Sequence, residues 1–353
     1  DAWAKALRAA DVAELTKLTV RHGIFQGPFV HPDWPRNQLR RWYAAPVAGV
    51  NINDNCLDVY ATPTRRGEAP RVRFMPGDPP VQITNLAKSG NRNQFWADRK
   101  PDANEITLYG EVKHRFLEPI HVTVHDPPML FGELLRNRLL AADVRAGEVH
   151  RLDDQSPRPA GQVLAVVQSP LPTVITRCNR DSQNLFAEAL LKRIGHAVTG
   201  QPGSWSNGAA AVRLFLSRRI GPEAAHVAVS DGSGLSRDNR VTPRIIVELL
   251  AEMYDDEQLG PTYIQSLATP GEGTLERRFR RVDLDGQLFA KTGRIQGVVA
   301  TSGYVLHDGG GAAFSIIIND YQGPGQPAKN LIDRIVGLID DHLDIPEPAE
   351  YGG

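Results

Sequence analysis

The chain has 353 residues, 41% of them apolar and 23% charged, enough for two ordinary domains or for one large domain carrying an insertion. Forty Lys and Arg against 41 Asp and Glu leave a formal charge of −1, so no bulk field draws it to nucleic acid or anionic lipid. The longest apolar run, about Ala312 to Ile318, falls far short of the ~20 residues that cross a bilayer, which excludes a membrane-spanning helix. Cys56 and Cys178 are the only cysteines. Two thiols make neither a disulfide framework nor a four-cysteine zinc site; one bridge or two packed thiols are both open.

Asp1 opens the chain without Met and without a signal segment, a start that suits a cleaved mature protein or a fragment. Residues 1–23 read as an amphipathic helix, with Val12, Leu15, Leu18 and Thr19 on one face and Gly23 as its stop. From Ile24 to about His125 the texture turns β-rich. Short runs at Gly49–Ile52, Leu57–Tyr60, Arg71–Phe74, Glu105–Tyr109 and Ile120–Val124 are separated by Pro, Gly, Asn and Asp. Pro127 and Pro128 then introduce a helix over 129–142 with Leu130, Leu134, Leu135 and Leu139 inward. The polar, Pro-rich stretch 152–161 reads as a linker.

Beyond it, Asp181 or Ser182 can cap a helix carrying Leu185, Phe186, Ala189, Leu190 and Ile194, with Gly195 closing it. Helices follow at 208–219 and 243–254. Strands at 287–291, 298–305 and 312–318 form a meander, and a last helix at 329–343 carries Leu331, Ile335, Leu338, Ile339 and His342. Helices followed by antiparallel strands indicate an α+β domain.

No phosphate loop, dinucleotide fingerprint or G-x-S-x-G elbow occurs. His121 and His125 share a strand face beside Asp126, but a spacing of four sets them ~13 Å apart along a strand, too far to share one ion. Three other features carry more. Lys291-Thr292-Gly293 presents an ammonium beside a glycine that leaves room for a substrate backbone. Ser182-Gln183-Asn184 offers a hydroxyl and an amide at a helix start, though Ser182 has an ordinary capping role open to it. The string Val229-Ser230-Asp231-Gly232-Ser233-Gly234-Leu235-Ser236-Arg237-Asp238-Asn239-Arg240 is too specific in composition for a generic loop.

In this order and spacing these elements resemble the penicillin-binding proteins of the D-alanyl-D-alanine carboxypeptidase/endopeptidase type, the class C low-molecular-mass group of S13 serine peptidases. Ala290–Gly293 followed by Gln296-Gly297-Val298 and Ser302-Gly303-Tyr304 also matches, as do Gly271-Glu272-Gly273-Thr274-Leu275, Trp34-Pro35, Ala45-Pro46 and Asn55-Cys56. The likeness runs from about residue 11 to 343.

The resemblance implies an α+β, transpeptidase/β-lactamase-like catalytic domain, incomplete at its N-terminal side, with a β-rich inserted accessory domain. Residues 1–159 would hold the N-terminal helix and the insertion, 160–345 the penicillin-binding domain and 346–353 a tail. It implies hydrolysis of peptidoglycan stem peptides through an acyl-enzyme, with β-lactams as further ligands, no metal or organic cofactor, and a periplasmic or exported, wall-associated location. By the same resemblance Ser182, Asn184 and Lys291 are the catalytic set, Ser182 in the proton relay and Asn184 on the acyl-side amide. Thr292, Gly293 and Arg294 bind substrate, Thr292 with Lys291 on the terminal carboxylate.

Two departures stand out. No serine is followed three residues later by lysine, so the S-x-x-K element that supplies the family's nucleophile is absent. Either the chain is an N-terminally incomplete view of a peptidase, or it is a pseudoenzyme kept as a wall-binding or scaffold protein. In the first case a separately supplied segment covers the edge and apolar face that the terminal meander otherwise exposes; a stand-alone protein would need another cover, and a homo-oligomer is also open. Arg294 is the second departure, standing where the family has Ser or Thr.

Overall fold

The computed structural model describes residues 2–152 and 160–343. The linker residues 153–159 and the tail 346–353 lie outside the described residues. The chain divides into two compact units, residues 1–168 with 188–208, and residues 169–187 with 209–353.

In the first unit, α1 (Ala2–Ala9) stops at Asp11, whose φ of 55° is left-handed. Residues 14–21 do not continue the expected helix; they form β1 (Glu14–Arg21). Its partner is β9 (Arg145–Leu152), parallel, with Glu14 opposite Arg145 and Arg21 opposite Leu152. The β-branched Thr16, Thr19 and Val20 suit a strand, and this pairing overrides the helical spacing of Leu15 and Leu18.

The predicted strand at 49–52 is also corrected. Those residues are irregular, and Asn53, Asp54 and Asn55 follow in the left-handed region at φ 48°, 53° and 51°. Fully buried Asn55 stabilises this coil by donating to the Pro46 carbonyl at 2.7 Å and to Asn51 Oδ1 at 2.6 Å. The remaining strands are β2 (Cys56–Thr62), β3 (Arg71–Met75), β4 (Gln82–Asn85), β5 (Lys88–Ser89), β6 (Gln94–Arg99), β7 (Glu105–Val112) and β8 (Ile120–Thr123). One sheet runs β3-β2-β8; in the other, β7 pairs in parallel with β4 and β5 and antiparallel with β6.

Leu57, Val59, Ile106, Leu108 and Val122 alternate inward along these strands, and α2 (Pro127–Leu140) adds Leu130 and Leu134 to the same core. Asp126 caps α2 by accepting from the Met129 amide at 3.0 Å. His121 bonds Asp58 at 2.7 Å, which raises its pKa. Among the described residues no group of three His, Cys, Asp or Glu side chains is set to hold a metal.

The second unit begins with α3 (Leu171–Asn179), which periodicity did not reveal. Next come α4 (Asn184–Thr199) and α5 (Trp205–Arg219), each contributing residues to both units. Helix α4 runs through Gly195, which was expected to end it. A Cβ there would meet Asn207 Oδ1 at 2.0 Å and the Gly208 nitrogen at 2.6 Å, so glycine is required by packing against α5, not by termination. Ile194 is exposed, while Glu188 and Lys192 are buried. Lys192 Nζ lies 3.6 Å over the Trp205 ring, and the Trp205 indole donates to Glu188 at 2.7 Å.

Two further helices, α6 (Pro243–Asp255) and α7 (Gly260–Ser266), precede the antiparallel meander β10 (Gln287–Ile295), β11 (Val298–His307) and β12 (Gly310–Ile318). The chain closes with α8 (Gln326–Leu343). On one sheet face Leu288, Ala290, Val299, Val305 and Phe314 pack with Ile332 and Val336 of α8. On the other, Tyr304 packs with Leu250 and Leu267 and donates to the Leu250 carbonyl at 2.7 Å. The inward residues of α8 are Ile332, Asp333, Val336, Gly337 and Asp340; Leu331 and Leu338 are exposed. Buried Arg278 holds Asp333 through Nε at 2.7 Å, pinning α8 to the segment before β10. No described helix is long and apolar enough to cross a membrane. Both cysteines are free thiols.

Candidate active site

The site in the second unit is built on a turn between two helices. After α3 the chain reverses through residues 180–183, where Ser182 takes φ 57°. A left-handed serine costs on the order of 1 kcal/mol or more and persists only where its surroundings fix it. Here the Gln183 amide donates to the Arg177 carbonyl at 3.1 Å, and Arg177 grips Asp181 at 2.6 Å. The Gly-Glu-Gly-Thr-Leu segment supplies the outer wall. The Thr274 amide donates to the Arg180 carbonyl at 3.1 Å, and Glu272 pairs with Arg180 at 3.2 Å. A Cβ on Gly273 (φ 50°) would lie 2.4 Å from the Arg180 carbonyl oxygen, so only glycine lets this wall approach.

Lys291 enters from β10. Its Nζ donates to Ser182 Oγ at 2.7 Å and to the Thr292 carbonyl at 2.6 Å. Desolvation pushes its pKa down to about 8, opposed by the neighbouring Cys178. Asn184, two residues beyond Ser182, opens α4. Nearby, Asn179 donates to Ser266 Oγ at 2.7 Å, and burial pushes the Tyr263 phenol up to about 12.

Lys291-Thr292-Gly293 is not a turn, since β10 continues to Ile295 with Lys291 opposite Ser302 and Gly293 opposite Ala300. In the three-stranded sheet β10 is an edge strand, and among the described residues its outer side is bridged only by Ala268, at Ala290. A Cβ on exposed Gly293 would meet nothing closer than Ala300 Cβ at 3.5 Å, an ordinary contact. Internal packing therefore does not demand glycine there. Strand alternation puts Lys291 on the Ser182 side and places Thr292 and Arg294 with Leu288 and Ala290 on the α8 side. Arg294 is exposed near Gly325 at the start of α8, so the structure joins Ser182 to Lys291 but does not bring the Arg294 side chain to that pair.

The Asp231 string is a loop folded around one carboxylate. Asp231, 3% exposed, accepts from the Gly234 amide at 2.8 Å, the Ser236 amide at 2.6 Å and the Asn239 side chain at 2.6 Å. This fixes Arg237, which donates to the Gln296 carbonyl at 2.6 Å in the β10–β11 turn. Sequence reasoning singled out both this string and the Gly271–Leu275 motif without finding that they brace the serine turn and the lysine hairpin. Cys178, which interacts with both Lys291 and Tyr263, carried no sequence signal, because only the packing of α3 and α7 brings these groups together.

The D-Ala-D-Ala carboxypeptidase 3 (S13) family model matches residues 1–341. The D-alanyl-D-alanine carboxypeptidase of Actinomadura sp. strain R39 is 30% identical over 342 residues, 90% of this chain and 63% of that protein. The D-alanyl-D-alanine carboxypeptidase DacB of Haemophilus influenzae is 26% identical over 306 residues, 82% of this chain and 61% of that one. The chain thus spans about three fifths of the length of these two relatives. The fold is similar to that of penicillin binding protein 4 from H. influenzae, with a TM-score of 0.77 at 21% identity over 95% of this chain and 77% of the other. A second structure of that protein, at TM-score 0.71 and 20% identity, covers 95% of this chain and 76% of the other, and is complexed with a β-lactam.

Proposed function

The chain belongs to the D-Ala-D-Ala carboxypeptidase 3 (S13) family, and we propose on that premise that it acts within a serine-type D-Ala-D-Ala carboxypeptidase/endopeptidase of peptidoglycan stem peptides. Residues 160–345 are its penicillin-binding domain and 1–159 its N-terminal helix and accessory insertion. The protein works in the periplasm or outside the cell.

The observation that carries this reading is the 2.7 Å bond from Lys291 to Ser182, with Asn184 at the adjoining helix start. In acyl transfer a nucleophilic oxygen attacks the penultimate D-alanine carbonyl, its proton passes to the leaving amine, and water later cleaves the ester. Ser182 and Lys291 form a hydroxyl–amine pair able to pass that proton, with the Lys291 pKa brought down to about 8 by burial. Asn184 holds the acyl-side amide. The Lys291 charge takes the terminal carboxylate while the Thr292 carbonyl accepts from its ammonium, and the outer edge of β10 beyond Ala290, with open space at Gly293, receives the substrate backbone. Arg294 stands where the family has a hydroxyl, but on the face of β10 opposite Lys291, so its side chain takes no part in this contact. No metal or organic cofactor enters these steps.

No serine of residues 1–353 has a lysine three positions on, so no nucleophile is assigned within this chain. That absence also favours a second reading, a catalytically inactive homologue that binds peptidoglycan or scaffolds wall assembly. Intact-mass analysis of the full-length protein after exposure to fluorescent penicillin separates the two. A stoichiometric acyl adduct is expected. A full-length protein that binds a D-Ala-D-Ala peptide yet never acquires the adduct rejects the peptidase reading.

A further inference from the structure

The first unit contains a cavity of about 410 Å³ whose walls include Arg66, Lys88, Arg92, Gln94, Trp96 and Glu111. It is assembled from three separate places and held rigidly. The Gly67 amide donates to the Ser89 carbonyl at 2.8 Å, the Ser89 amide to the Glu68 carbonyl at 2.7 Å and the Thr64 amide to Ser89 Oγ at 2.8 Å. These bonds fasten the Arg66 loop to β5, which carries Lys88. Trp96 of β6 lies parallel to its cross-strand neighbour Tyr109, with ring centroids 5.8 Å apart and planes inclined by 18°. A Cβ on Gly110 would come within 2.8 Å of Trp96 Cζ3, so the glycine makes room for the indole, which stays 50% exposed.

The charges are unbalanced. Glu111 is committed to Arg92 at 2.9 Å and to the Asn91 amide at 2.7 Å. Among the described residues neither Arg66 nor Lys88 has a carboxylate within ion-pair distance. A half-exposed, flat aromatic ring beside two uncommitted cations suits a ligand with an apolar ring face and a carboxylate close to it.

We propose that this cavity binds a carboxylated saccharide strand, the sugar face on Trp96 and the carboxylate between Arg66 and Lys88. The identity of the polymer, peptidoglycan glycan whose lactyl carboxylates are free of stem peptide, rests on the proposed function; the chemistry of the cavity does not. The strand so held is distinct from the stem peptide read by Lys291.

The test is titration of residues 1–353 with peptide-free glycan strands retaining their lactyl carboxylates, alongside neutral chitin oligosaccharides and polyglutamate. Glycan strands are expected to bind, and both W96A and the double variant R66Q/K88Q to weaken them by about tenfold or more, one tenfold being 1.4 kcal/mol. Chitin oligosaccharides should bind at least about tenfold more weakly, and salt should weaken the glycan complex. All three side chains are exposed, and circular dichroism checks that the variants fold. Absence of glycan binding, wild-type affinity in either variant, or equally tight polyglutamate overturns the proposal. A D-Ala-D-Ala peptide titrated into the same protein scores the peptidase reading separately, so either can fail alone.

Discussion

Lys291 Nζ lies 2.7 Å from Ser182 Oγ although 109 residues separate them in sequence. The serine holds a left-handed backbone and the lysine is desolvated, so each is kept in a conformation or environment that an unfolded chain rarely samples. The interaction sets the first expectation. If the ammonium form takes the terminal carboxylate, affinity for a D-Ala-D-Ala peptide falls as pH rises through about 8, the value to which burial brings Lys291. Calorimetric titration between pH 6.5 and 9.5 reads this, and K291A should bind weakly with no such step. An unchanged profile in K291A would move the carboxylate site elsewhere.

Residues 1–353 alone should not be acylated. Removing the nucleophile of a catalytic unit costs ~10⁶ in rate, and no serine here has the base one helical turn away. Incubation with penicillin should leave the intact mass unchanged and release no D-alanine from a D-Ala-D-Ala peptide. A stoichiometric adduct mapped to any serine identifies a nucleophile of a different design.

Two glycines near the site should behave oppositely. G273A forces a Cβ to 2.4 Å from the Arg180 carbonyl at a left-handed φ, and should destabilise by about 1–3 kcal/mol while loosening the Ser182 turn. G293A meets only an ordinary contact and should leave the melting temperature within experimental error. It should nevertheless weaken peptide binding, since the methyl occupies the space offered to the substrate backbone. A large loss of stability in G293A would mean that the glycine serves the fold.

Asp231 accepts two backbone N–H groups and the Asn239 amide while almost fully buried. Its replacement by Ala strands those donors, at about 3–5 kcal/mol for a buried hydrogen-bonded carboxylate. Thermal unfolding should show the loss, and amide exchange should rise at Gln296, whose carbonyl Arg237 holds. D231A with wild-type stability would show that the loop is held by other contacts.

Lys192, 1% exposed, has its pKa lowered from 10.5 to about 8 by desolvation, with Glu188 opposing. The unfolded state therefore binds more protons between those values, and stability rises with pH from about 8 towards 10.5. At about 1.4 kcal/mol per pKa unit the contribution is on the order of 3 kcal/mol. Lys291 adds a term of the same sign. Denaturant unfolding at pH 7.5 and 9.5 should show a smaller rise in K192M than in the wild-type chain; an equal rise excludes Lys192 as a source.

Local and repetitive features were legible in the sequence alone. Alternation marked β2, β3, β7, β10, β11 and β12, because burying one sheet face leaves a period of two. Pro127 with Asp126 marked the start of α2, and the order of the Ser182, Asp231 and Lys291 motifs marked the family and its α+β fold. Tertiary structure decided where local preference was weak or contradictory. Residues 14–21 became a strand because β9 offers seven paired partners, and Gly195 stayed helical because α5 packs against it. It also separated Arg294 from Lys291, since three positions along a strand reverse the face, and brought Cys178 to Lys291 and to Tyr263 through helix packing that no spacing in the chain encodes.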